Sequence, residues 1–521
     1  MRKHTQRAAR RVLHGVGVAL TIASLALPMD ARAAPKGEIT LATSVLSQRF
    51  DPTTTAQVAD SMTYDFLFDG LINVGAEGKK PALAKSWTIS PDGKQVDFML
   101  REGIKFHNGD PFTAADVKFT FESLAKAGST HIYAKVYNDT IERVDVISPL
   151  QARFVLKQPW PSFFTTSRYA MQAVVPKAYY EKVGAKGFME KPVGTGPFTL
   201  VGLQSGEWTK YEANPAYWGQ VSGPQFVTQR LVKEPFTRYA MLQKGEADIV
   251  MGITGPLLTR VRDDPKVRLF WSKYSGVSGL FFNKNDFPQA KDIRVRMAIA
   301  HSIDREGMAK TILGGVCTPA TEMFTPATFG FLPGLKPIPY DMAKAKELIK
   351  AAGGAQPQEI TFLLITEAPG SLPGAPQVME AIASTIGDLG FKLKRIPVEF
   401  GAYVDIFRKQ QEPGIFSGLV SIPDDGGQIV NDWYTATAVW AHGHAAKPEY
   451  EKIAVEQRQT PSPEKREKLL QEFAKLEDES KETIPLFWCD TPFAAGPRIK
   501  NWKPSVGSPY QLQLNTVELA N

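Results

Sequence analysis

Apolar and polar positions alternate along this chain in two rhythms, and each change of rhythm marks an element. Val96, Phe98 and Leu100 recur at every second place, the period of a half-buried strand. A turn at Ser90-Pro91-Asp92-Gly93 precedes them and a second turn, His107 to Asp110, follows. Val117, Thr120, Phe121 and Leu124 then recur at three and four, so they share one face of a predicted helix. Thr113 is its expected N-cap and Asp116 stands at N3, the capping-box arrangement. Residues 38–43 read as a strand entering a core, residues 57–71 as a helix ending near Gly70, and residues 140–156 as paired strands carrying Ile141, Val144, Val146, Phe154 and Leu156.

The same alternation continues to the C-terminus. Residues 191–219 predict two strands joined by a turn and closed by Asn214-Pro215. Residues 238–250 predict a helix stopped by Gly245 as a left-handed C-cap, then a short strand. A strand over residues 271–283 leads into two helices capped by Asp292 and Asp304. Beyond them a helix at 341–352, a strand at 360–365, a helix at 377–389 and a strand at 391–398 form a strand–helix–strand order, which argues for a βαβ unit and an α/β class. A charged helix at about 463–480 precedes an apolar strand at 483–487. No repeat or low-complexity tract interrupts the pattern.

Composition adds compartment and scale. Arg2, Lys3, Arg7, Arg10 and Arg11, an apolar run at about 16–27 and Ala31-Arg32-Ala33 have the layout of a cleaved export signal, with Arg10-Arg11 leaving twin-arginine export open beside the general route. No later run reaches the roughly 20 apolar residues of a membrane-spanning helix. Removing residues 1–33 would lower the net charge from +7 to about +2, so nothing resembles a phosphate-binding stripe and no nucleic-acid partner is expected. The remaining length suits two or three domains. Cys317 and Cys489 are the two cysteines, and their spacing leaves both a disulfide and two separate thiols open.

Five blocks, in order, resemble the peptide, opine and nickel class of solute-binding proteins of ABC importers, known as family 5: residues 81–124; Gly194, Thr195, Gly196, Pro197 and Phe198 with Asn214, Pro215, Tyr217 and Trp218; residues 238–250; Asp292, Arg294, Arg296, Ala298, Ala300, Ile303, Asp304 and Arg305; and Thr483 to Phe487. The resemblance implies an α/β, two-lobed periplasmic-binding-protein fold of type II, cluster C, with a hinge and an extra subdomain in the first lobe. Lobe 1 would span 34–284 with the subdomain at about 75–190, lobe 2 would span 285–483, and residues 484–521 would return to lobe 1, with the hinge near 284 and 484. It further implies a Gram-negative periplasmic monomer that captures a small solute, a peptide or peptide-like molecule first, and delivers it to permease subunits in the inner membrane. Opines, oligosaccharides and metal chelates are the alternative solutes.

Chemistry points the same way. The phosphate-cradling G-x-x-x-x-G-K-[ST] loop and H-E-x-x-H are absent, Gly276-Val277-Ser278-Gly279 lacks the closing glycine of a nucleophile elbow, and Gly194-Thr195-Gly196 lacks the third glycine of a dinucleotide fingerprint. No enzyme and no cofactor is therefore expected; an exported hydrolase or a periplasmic chaperone or sensory adaptor are the readings from other classes. Peptide-binding members carry a carboxylate for the ligand amine where this chain has Pro423-Asp424-Asp425-Gly426-Gly427, which makes Asp424 and Asp425 candidates although the family's aromatic frame and following proline are missing. Trp433, Tyr434 and Trp440 are candidate cleft aromatics. Tyr274 and Ser47 are candidates from the first lobe. No metal is expected; His442 and His444, on one side of an extended segment, are the candidates if a metal or chelate is bound.

Overall fold

A computed structural model describes residues 35–520 except 55–59, 76–77, 127–128, 130, 132–133, 161–172, 254, 367–371, 373, 421–424, 439, 442 and 506–510. The expected export signal and Asp424 and His442 therefore lie outside the described residues. Among those described, no helix is long and apolar enough to cross a membrane.

One large mixed sheet runs through the molecule. Its order is Lys392–Val398, Glu359–Ile365, Ile415–Val420, Arg268–Phe282, Ile484–Ala495, Ile249–Met251, Glu38–Thr43, Phe226–Leu231, Trp208–Ala213 and Phe198–Gln204, with Cys317–Pro319 pairing off Ile484–Ala495. The predicted βαβ unit is present: Glu359–Ile365 and Lys392–Val398 are parallel and the helix Ala375–Asp388 lies between them in the chain. Two long antiparallel strands in the middle, Arg268–Phe282 and Ile484–Ala495, carry the sheet from one half to the other. The expected boundaries at 284 and 484 fall just past the end of the first and at the start of the second. Residues 268–272 pair with 491–495, whose other neighbour is Ile249–Met251; residues 277–282 lie between Ile415–Val420 and residues 484–488.

A separate four-stranded sheet, in the order Ala84–Ile89, Gln95–Leu100, Gln151–Leu156, Ile141–Ser148, carries the helix Ala114–Ala125. The capping box at Thr113 and Asp116 forms as predicted, and Val117, Thr120, Phe121 and Leu124 are buried. This sheet shares its core with the Glu38–Thr43 end of the main sheet. A second core passes along the junction, joining Tyr239, Leu257 and Leu258 to Phe282, Leu313 and Ile382; a third fills the far half around Phe281, Trp433, Tyr434 and Phe473.

The glycines of Gly194-Thr195-Gly196 are there for packing. A Cβ built on Gly194 would lie 1.9 Å from the Leu67 carbonyl oxygen, and one on Gly196 would lie 2.4 Å from the Leu67 carbonyl carbon. The neighbouring motif anchors the same place: Asp69 accepts from Thr195 Oγ1 (3.0 Å), Tyr217 Oη (2.9 Å) and Trp218 Nε1 (2.8 Å). Burial outweighs those three donors and pushes the Asp69 carboxyl up to about 6.

Candidate functional site

The junction of the two central strands, where the sheet passes from one half to the other, is irregular. Ser272 pairs with Thr491 and Gly276 pairs with Cys489, so Lys273, Tyr274 and Ser275 stand opposite Asp490 alone. The two surplus residues form a bulge. Tyr274 sits in it, half-buried, with φ at 49°, a region that a residue with a Cβ enters only when something holds it. The Asp490 carboxylate does: Oδ1 accepts the Tyr274 amide at 2.8 Å and Oδ2 meets Lys273 Nζ at 2.6 Å. Lys273 also lies 5.4 Å above the Trp271 ring. On the other side Trp488, half-buried, donates from Nε1 to the Glu322 carbonyl at 3.1 Å.

Cys317 and Cys489 are directly opposite on paired strands and form a disulfide, which settles the alternative left open by their spacing. The Asp490 amide donates to the Val316 carbonyl at 2.8 Å beside it.

The acidic candidate Asp425 is N-cap of the helix Gly426–Trp433. Its two carboxylate oxygens meet Arg466 Nη1 and Nη2 at 2.5 Å each, in a pair almost wholly removed from solvent. That bidentate partner satisfies the carboxylate and cancels its charge. Sequence pattern placed Asp425 beside a turn but carried no sign of a partner 41 positions away.

Trp433 and Tyr434 are 4% and 0% exposed and belong to the third core. Trp433 stacks on Trp440 at 6.1 Å and tilts against Phe281 at 5.0 Å; Tyr434 shares a 2.8 Å hydrogen bond with Thr483 Oγ1. Ser47 Oγ donates to the buried Asp60 and its carbonyl accepts from Thr63 Oγ1, fastening the segment after the first strand to the helix Asp60–Leu67. Tyr274 is thus at the junction, Ser47 on the first half, and Asp425, Trp433 and Tyr434 inside the second.

Nearby carboxyls are strongly perturbed. Burial pushes Glu322 up to about 8; one oxygen accepts only the Leu332 amide and the other has no hydrogen-bond partner. Burial likewise raises Asp432 to about 7 and Glu477 to about 7. His444 Nε2 lies 3.7 Å from Glu412 Oε2 and its ring packs on Phe416. Among the described residues no group of three or more histidines, cysteines or carboxylates could hold a metal ion. A cavity of about 290 Å³ bounded by Phe287, Pro288, Gln289, Gln356, Gln358 and Ile360 contains none of the candidates.

Residues 79–441 match the model of the middle region of the bacterial extracellular solute-binding proteins, family 5. The chain belongs to this family. As a family 5 protein it is a solute-binding protein, and the resemblance read from its five blocks holds. It is similar to the di/tripeptide-binding protein 2 of Pseudomonas aeruginosa (28% identical over 413 residues, 74% of this chain and 76% of the other) and to the glutathione-binding protein GsiB of Escherichia coli K12 (32% over 350 residues, 66% of each). In fold it resembles the dipeptide-binding protein of Pseudoalteromonas sp. SM9913 in complex with Met-Leu, with a TM-score of 0.82 at 20% identity over 93% of this chain and 100% of that one. The α/β two-lobed family 5 fold expected from sequence is the fold observed. Asp490, which sequence reasoning passed over, is the one acidic residue inside the strand Ile484–Ala495, and that interruption of an apolar run was the available signal.

Proposed function

We propose that this chain is the periplasmic capture component of an ABC importer, binding a short peptide or peptide-like solute between two lobes and releasing it to membrane permease subunits without altering it. The observation that carries the reading is the family match, together with the similarity to a di/tripeptide-binding and a glutathione-binding protein over about two thirds or more of the chain. Two strands crossing one junction suit a hinged pair of lobes whose shared ligand contacts exist only when closed, so solute shifts the population toward the closed form. We assign the lobe boundary to the bulge, near 275 and 490, rather than to the strand ends.

Neutralisation of Asp425 by Arg466 leaves Asp424 as the carboxylate we assign to a ligand amine. Tyr274 is retained as a junction contact, whereas Trp433, Tyr434 and Ser47 are assigned to support of the walls. Native mass spectrometry of the mature protein purified from its own periplasm, with a denatured aliquot to release any passenger, tests the class. A carried peptide or thiol peptide is the expected result. An empty protein whose melting temperature stays fixed across panels of peptides, opines, oligosaccharides and metal chelates would overturn the capture reading itself.

A further inference from the structure

The bulge and its tether have a build that a plain strand crossing does not require. On the first-lobe side the ladder is Arg268 to Ser272 against Thr491 to Ala495; on the second-lobe side it resumes at Gly276 opposite Cys489. Between them the register slips by two residues, the larger of the two irregularities in this strand pair. Three successive residues there have torsions that ladder pairing does not fix, and one of them, Tyr274, occupies the left-handed region. The segment is held there by side-chain contacts, Asp490 to the Tyr274 amide and Thr491 to Ser275, rather than by ladder hydrogen bonds.

Asp490 stands in the middle of that slip, and its two ends face different lobes. Its backbone is fixed from the second-lobe side by its amide bond to Val316 and by the adjacent disulfide of Cys489 to Cys317. Its carboxylate reaches the first-lobe strand at the Tyr274 amide and at Lys273. Ser275 Oγ and Thr491 Oγ1, 2.7 Å apart, make a second, neutral link across the same slip. The Lys273 partner is 58% exposed, so water can replace it at little cost, whereas the Tyr274 amide bond is half-buried.

We propose that Asp490 is the positioning residue of the lobe movement: the bulge at 273–275 is the pivot, and the Asp490 carboxylate holds it in the conformer seen here, setting the open-to-closed ratio and through it the apparent solute affinity. This rests on the two-lobed capture reading but not on the identity of the solute. Apparent affinity scales with the fraction of molecules in the binding-competent form, so a change in that ratio appears directly as a change in dissociation constant.

The test uses the mature full-length protein, stripped of any solute, as wild type, Asp490→Ala and Asp490→Asn. Amide exchange is followed by mass spectrometry over residues 271–276, and the radius of gyration by small-angle scattering. Asp490→Ala is expected to speed exchange of the Tyr274 amide about tenfold and to shift the open-to-closed ratio by a similar factor, seen as an altered radius of gyration. Asp490→Asn keeps an oxygen for that amide and loses only the Lys273 pair, so its exchange should stay near wild type and its radius should lie between the other two. If Asp490→Ala does not fold, Asp490→Asn is compared with wild type alone: near-wild-type exchange with an altered radius supports the proposal, and an unaltered radius overturns it. Faster exchange with an unchanged radius would reduce Asp490 to a local contact and overturn the proposal; unchanged exchange would overturn it one step earlier. Because no solute is added, failure of the peptide reading would leave these outcomes intact.

Discussion

The charges inside the second lobe and the charges at the junction are built differently. In the second lobe Arg466 and Asp425 are 5% and 8% exposed at their side chains and joined by two bonds, and Arg296 reaches Glu482 together with the carbonyls of Ala290, Ser480 and Lys481. At the junction Lys273 and Asp490 are 58% and 20% exposed. A buried ion whose partner is removed remains desolvated and unpaired, while a half-exposed one is taken up by water. The first arrangement therefore holds one structure and the second biases an equilibrium between two.

The largest effect should come from breaking the buried pair on one side. Asp425→Ala leaves Arg466 inside the lobe without a carboxylate and also removes the cap of the following helix, so a loss of about 3–5 kcal/mol is expected in urea unfolding. Replacing both partners with apolar residues, Asp425→Leu with Arg466→Met, should cost far less. Asp424→Asn is the contrasting variant: stability should hold while the dissociation constant for a peptide with a free amino group rises about tenfold or more, measured by calorimetric titration. Equal loss of stability in both single variants would erase the distinction between the adjacent carboxylates.

Next in size is the disulfide, which closes a loop spanning 172 positions and fastens Cys317–Pro319 to the strand beside the junction. Replacing both cysteines by serine should lower stability by about 2–4 kcal/mol, checked by scanning calorimetry against the oxidised protein.

Much of the frame around these sites was legible in the chain. The period-two run at Val96, Phe98 and Leu100, the box at Thr113 and Asp116, the stop at Gly245 and the caps at Asp292 and Asp304 are local signals, and each formed where it was read. The candidate site was less legible because its meaning depends on partners distant in sequence. Asp425 is defined by Arg466, Tyr274 by Asp490 and Cys317 by Cys489. Trp433 and Tyr434 illustrate the same difficulty for aromatics, since composition says that a large ring will be buried but not whether against solute or against Phe281 and Phe473.

A pH series sharpens the contrast at smaller amplitude. The Glu322 carboxyl titrates at about 8 in the fold but near 4 when unfolded, because burial disfavours its ionised form. Between those values the folded state keeps a proton that the unfolded state has lost. Its contribution is therefore full at the acid end and is lost as pH rises toward about 8. Glu322→Gln, which stays neutral throughout, should flatten the decline in melting temperature from pH 5 to 8. An identical slope in variant and wild type would mean that Glu322 is solvated in the native protein.

The smallest effect on stability, and the sharpest on the comparison, belongs to Lys273. With a side chain 58% exposed it should cost less than about 1 kcal/mol to replace by alanine, no more than Lys135→Ala, which removes a helix-surface pair to Asp139 from a side chain 81% exposed. The two variants should separate only in binding. Lys135→Ala changes one rigid surface and should leave affinity for the natural solute as it is. Lys273→Ala releases one of the two carboxylate contacts that restrain the bulge and should move affinity a few-fold, with salt reducing the difference because the pair is screened. Titrations of both at low and high salt check this. If the two lysines behave alike, the junction charges are as inert as any surface pair, and the contrast with the buried charges is one of burial alone.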